Sequence, residues 1–149
     1  MKRSILLLPL LLVGCELAGI AAPDPAVPSE FTGTHALVSI GGASLPAVAD
    51  RFVDNGHQIE IRIVEGSLVL NLDRTLRETR LEQHYVDGVE GMSRTIARNG
   101  TWVTDQEQID VTWEGDATDY TTFLYDDATK VLWLDMEDPA AVWRYRKTD

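Results

Sequence analysis

Ile59, Ile61 and Ile63 alternate with Gln58, Glu60 and Arg62, and this spacing restricts the fold more than any other feature of the chain. Successive side chains of an extended strand point to opposite faces, so the segment has one apolar and one polar face. A helix would spread the same isoleucines around its circumference. Leu68, Leu70 and Leu72 repeat the pattern after Glu65-Gly66, a pair that reads as a hairpin turn. Ile109, Val111 and Trp113 alternate with Gln108, Asp110 and Thr112; Leu132 and Leu134 share one parity, as do Trp143 and Tyr145. Trp133 has the opposite parity to its neighbours and is expected on the outside, facing a partner. Asn55-Gly56, Asp87-Gly88, Asn99-Gly100, Glu114-Gly115 and Asp126-Asp127 supply turn chemistry between the runs.

About nine strand segments result: 34–40, 57–64, 67–72, 75–85, 92–104, 108–113, 120–125, 130–135 and 141–146. Short strands at this spacing predict an all-β fold, an antiparallel sandwich or barrel. Closing the sheet also removes the free edges that promote aggregation. Residues 74–85 fit least well. Arg74, Arg77, Glu78, Arg80, Glu82 and His84 crowd both faces, and Leu76 and Leu81 fall on opposite sides of a strand. The preferred reading is a long strand bulged near Arg80; a short helix is the alternative.

The run Leu37-Val38-Ser39-Ile40-Gly41-Gly42, the segment 66–73, Gly100-Thr101-Trp102 with 108–113, and the final Val142-Trp143-Arg144-Tyr145-Arg146-Lys147 resemble the strands of small lipocalin-like lipoprotein domains. The resemblance implies an antiparallel meander forming a lipocalin-like barrel of about eight to nine strands. In such a barrel Trp102, Trp113, Phe123, Trp143 and Tyr145 are candidates to line a ligand cavity, with Arg80 or Arg144 orienting an acidic head group. The competing reading is that these rings simply fill the interior, since an eight-stranded barrel is barely wide enough for more.

The first residues carry a separate signal. Lys2 and Arg3 precede an apolar run from Ile5 to Val13, then Gly14 and Cys15, the single cysteine. The run is too short for a membrane span, which needs about 20 apolar residues. Basic start, apolar core, small residue and cysteine resemble the lipobox signal peptide of bacterial lipoproteins. That resemblance implies cleavage before Cys15 and lipidation of its sulfur. It also implies a cell-envelope location on the inner or outer membrane. The expected organisation is a signal peptide over 1–14, a lipidated cysteine and Pro-rich tether over 15–31 with Pro23, Pro25 and Pro28, and one barrel domain over 32–149. Formal charge is −11, which disfavours nucleic acid as a partner. The partners expected are the membrane, through Cys15, and either an apolar small molecule or an envelope protein.

Catalytic signatures are sparse. No Gly-x-Ser-x-Gly elbow occurs, and Gly41-Gly42 does not continue into a phosphate loop. His35, His57 and His84 lack metal-ligand spacing. An acylated Cys15 is no nucleophile. The acids at 116, 119, 126, 127, 135, 137 and 138 read as solvated turns rather than a calcium site. A non-enzymatic protein without metal or cofactor is expected.

Overall fold

The computed structural model describes residues 29–115, 119–134 and 142–148. Among them the chain forms ten strands: β1 (Gly33–Ile40), β2 (Ala43–Ser44), β3 (Ala47–Asp54), β4 (His57–Leu70), β5 (Thr75–Val86), β6 (Val89–Asp105), β7 (Gln108–Trp113), β8 (Tyr120–Asp126), β9 (Val131–Leu134) and β10 (Trp143–Lys147). All pair antiparallel in the order β2-β1-β10-β9-β8-β7-β6-β5-β4-β3, and an added β1–β4 pairing joins the sheet to itself. Eight strands, β1 and β4 to β10, close as a barrel. This is the all-β antiparallel meander expected from the alternating residues. Residues 75–86 are strand, not helix.

Closure depends on β4, which is 14 residues long. Its first half pairs with β3, from Asp54↔His57 to Ala47↔Ile63. Its last residues pair with β1, from Ala36↔Ser67 to Gly33↔Leu70. The change of partner falls where the register against β5 slips between Ile63 and Glu65. Glu65-Gly66 is therefore no hairpin turn: the strand runs through it. Gly66 is needed for close approach, since a Cβ there would lie 3.1 Å from Leu37 Cδ2. Asn99-Gly100 likewise sits inside β6, and a Cβ at Gly100 would meet the Thr112 carbonyl oxygen at 2.5 Å. True two-residue hairpin turns form at Asn55-Gly56 and Asp87-Gly88, all with positive φ.

The strand β3 went unforeseen because its apolar alternation is broken by a register shift between Val48 and Asp50. Beyond the barrel, β3 and the adjoining parts of β4, β5 and β6 continue as a four-stranded wing.

One end of the barrel is stoppered. Leu70, Leu76, Trp102, Ile109 and Leu132 are buried there or just above. The Trp102 indole N–H reaches the Asn71 and Thr75 carbonyls at 3.2 Å. Phe31, assigned to the tether by sequence, packs edge-on against Tyr125 at 4.9 Å. His35 Nε2 donates to the Phe31 carbonyl at 2.9 Å, and Lys147 Nζ donates to the carbonyls of Ser29 and Glu30. The described chain thus enters the barrel from the end opposite the wing.

Candidate functional site

The open end of the barrel is charged on the inside. On β5, Leu76, Glu78, Arg80 and Glu82 occupy alternate positions and share the inward face. On β6, Arg94, Arg98, Gly100 and Trp102 share it too, because Leu76 pairs with Gly100, Glu78 with Arg98 and Glu82 with Arg94. The side chains of Glu78 and Glu82 are only 5 % exposed. Carboxylates that deep require partners, and the strand alternation places arginines beside them.

Arg80 lies between the two acids. Its Nε donates to Glu82 at 2.9 Å and its Nη1 to Glu78 at 3.3 Å. Arg98 holds Glu78 through Nε at 3.0 Å and Nη2 at 2.9 Å, and faces Asp119 at 3.6 Å. Arg94 donates to Glu82 at 3.1 and 3.2 Å. The Tyr145 hydroxyl donates to the remaining oxygen of Glu78 at 2.9 Å. Burial first, then the adjacent Glu78 carboxylate, pushes the Tyr145 hydroxyl pKa well up. For Glu82, burial alone would raise the pKa; hydrogen bonds and charge from Arg80, then Arg94 and His84, outweigh it and hold the carboxyl below its ordinary value.

Aromatic rings wall this network. The Arg98 guanidinium lies 3.9 Å over Trp113, and that of Arg80 lies 5.6 Å from the Trp143 ring. Phe123 meets Tyr145 edge-on at 5.9 Å. Between them opens a cleft of about 200 Å³, lined by Ala49, Glu78, Arg80, Arg98, Thr121, Phe123, Leu134, Trp143 and Tyr145.

Of the cavity candidates, Phe123, Trp143 and Tyr145 line this cleft. Trp113 lies beside it under Arg98, its indole N–H donating to Thr121 Oγ1 at 2.8 Å. Trp102 is 1 % exposed at the stoppered end and does not reach it. Arg80 faces the cleft, whereas Arg144 is exposed on the outer face and pairs across β9 with half-buried Trp133. Cys15 lies outside the described residues.

The three histidines stay apart: His35 at the stopper, His57 against Asp87 at the wing tip, His84 at 3.5 Å from Glu82. Among the described residues no three His, Cys, Asp or Glu side chains gather as a metal site. Asp126 bonds within its own turn, Asp127 pairs with Lys130, and positions 116, 135, 137 and 138 lie outside the described residues.

Glu78, Glu82, Arg94 and Arg98 were not singled out from sequence. The signal was present: Glu78, Arg80 and Glu82 continue the parity of Leu76, and Arg98 that of Trp102. Charges in phase with an apolar stripe on a long strand point inward. Comparisons of the chain with protein-family models, with curated proteins and with solved structures find no match.

Proposed function

We propose that this chain is a lipid-anchored protein of the bacterial cell envelope whose barrel mouth binds the end of a small molecule with an apolar or aromatic body and an acidic group. The observation that carries this reading is the cleft itself: aromatic walls over a floor where Arg80 and Arg98 meet the buried Glu78. The cleft's lining sets Arg80 and Arg98 against Glu78, with Asp119 beside Arg98, in a chain of charge −11, so an acidic group entering it meets guanidinium donors. The cleft of about 200 Å³ is smaller than a typical drug-sized pocket of roughly 300–1,000 Å³. It suits a ring or a short alkyl segment, with the remainder of the ligand outside.

Binding is favoured over catalysis by the state of the carboxylates. A general acid at neutral pH needs a raised pKa. Glu82 is held the other way, and Glu78 is occupied by Arg80, Arg98 and Tyr145. Anchoring rests on the Lys2-Arg3, apolar run and Gly14-Cys15 pattern. Because the described chain enters at the stoppered end, a tether to the bilayer leaves the mouth turned away from its attachment.

Two measurements test the reading. Intact mass of the membrane-extracted protein should show an acylated N-terminal Cys15, and Cys15→Ser should release the chain from membranes. Anilinonaphthalene sulfonate, an aromatic anion, should fluoresce on binding saturably and be displaced by octanoate. A later-starting, unacylated product removes the anchor, and absence of saturable dye binding removes the ligand site.

A second reading, a filled barrel that serves only as an interaction module, draws on the dense packing of Leu68, Leu70, Leu76, Trp102, Ile109 and Leu132 below the cleft. It expects no dye binding at all.

A further inference from the structure

The wing carries an apolar surface that the cleft does not use, and we propose that it docks a protein whose own apolar contact is ringed by basic side chains. The surface is built by strand pairing. Phe52 of β3 faces Ile59 of β4, Ile59 faces Val86 of β5, and Val86 faces Val89 of β6. Directly paired residues project from the same side, so these four form one row across the wing. By parity the row lies on the side of Ile63, which belongs to the barrel core. It is the core face of the sheet carried past the point where the barrel covers it.

The row is open to solvent. Phe52 is 45 % exposed, Val86 41 % and Val89 69 %, with Met92 at the neighbouring bulge 65 %. Together they expose roughly 400 Å², the size at which an apolar patch on a monomer often marks an interaction site. Propensity does not require it: hairpin tips of this kind fold with polar residues flanking their turns.

Charge selects the occupant. Asp50 and Asp54 share the face of Phe52, both exposed, and among the described residues neither makes an ion pair. Arg94, on the same face, is held by Glu82, and Glu90, opposite Tyr85, points to the other side. Asp87 at the tip is joined to His57. Arg51, Arg62 and the Glu60 that engages them lie on the other face, with Tyr85. The rim is therefore net negative. A second copy of this chain would bring the same acids against them, and an anionic bilayer would be repelled. A partner with an apolar centre and a lysine or arginine rim meets both demands at once.

The test uses the full chain as isolated from its producing cells and two labelled peptides. Each has a Leu-Phe-Leu centre, flanked by two lysines on either side in one and two glutamates in the other. Binding is read by fluorescence anisotropy. The lysine peptide should bind at least tenfold more tightly than the glutamate peptide. Replacing Phe52, Val86 and Val89 together by serine should weaken it at least tenfold at unchanged net charge, with the circular dichroism spectrum retained. Asp50→Lys with Asp54→Lys should reverse the preference between peptides, which keeps the proposal testable if the serine variant misfolds. Equal binding of both peptides overturns it, as does undiminished binding to a folded serine variant. So does a row-dependent dimer in sedimentation, or row-dependent binding to phosphatidylglycerol vesicles.

Discussion

Arg80→Met isolates the charged floor of the barrel. Methionine keeps much of the aliphatic stem against Trp143 while removing the guanidinium that joins Glu82 at 2.9 Å to Glu78 at 3.3 Å. Stripping one partner from a fully buried ion pair costs about 3–5 kcal/mol. Here the loss is smaller. Glu82 retains Arg94 and His84, Glu78 retains Arg98 and Tyr145, and the Arg80 side chain is 22 % exposed. Two charge-assisted hydrogen bonds in partial contact with water point to about 2 kcal/mol at pH 7, or a Tm lower by roughly 6–10 °C for a domain of this size. The effect must depend on pH. Folding lowers the Glu82 pKa, so the stability it carries is present above the unfolded value of about 4.3 and is lost as pH falls through the lower folded value. Urea unfolding followed by tryptophan fluorescence should therefore show the gap between wild type and variant narrowing from pH 7 to pH 3. A gap that stays constant over that range, or one below about 0.5 kcal/mol at pH 7, refutes the claim that Arg80 compensates buried carboxylates.

Other substitutions probe the frame. Gly100→Ala places a Cβ 2.5 Å from the Thr112 carbonyl oxygen; β6 and β7 must part, and a loss of about 2 kcal/mol is expected in the same unfolding assay. Trp102→Ala empties the stoppered end, where the ring is 1 % exposed, and should cost about 3–5 kcal/mol. Tyr145→Phe removes one donor to Glu78 and should cost about 1 kcal/mol, falling towards zero when Glu78→Leu, which has no acceptor, is already present.

Much of the barrel was legible because the physics of strands is local. Ile109-x-Val111-x-Trp113 and Trp143-x-Tyr145 each show which face is buried without knowledge of the neighbours. What was misread needed the neighbours. Gly66 and Gly100 look like turn residues, but their role is to admit Leu37 and the Thr112 backbone, which lie far off in sequence. The strand β3 pairs through a register shift, so its periodicity is erased at the point where it would be counted. At the site, aromatic residues were legible as inward rings, and Phe123, Trp143 and Tyr145 do meet at one cleft. Trp102 has the same parity logic yet lies at the opposite end, because parity fixes the face and not the height along the barrel. The inward charges were obscured by their composition. A run of Arg and Glu reads as a solvated surface until its pairing with β6 shows each arginine beside a carboxylate.

The central claim is that the barrel mouth recognises an acidic group through its arginine floor and an apolar body through Trp143. Titrating the full chain with octanoate and with octylamine, read by intrinsic tryptophan fluorescence, tests it most directly. Octanoate should give a saturable change at least tenfold weaker in Trp143→Ala, and octylamine should give none. Equal responses to the two, or an octanoate response that survives loss of Trp143, would contradict it.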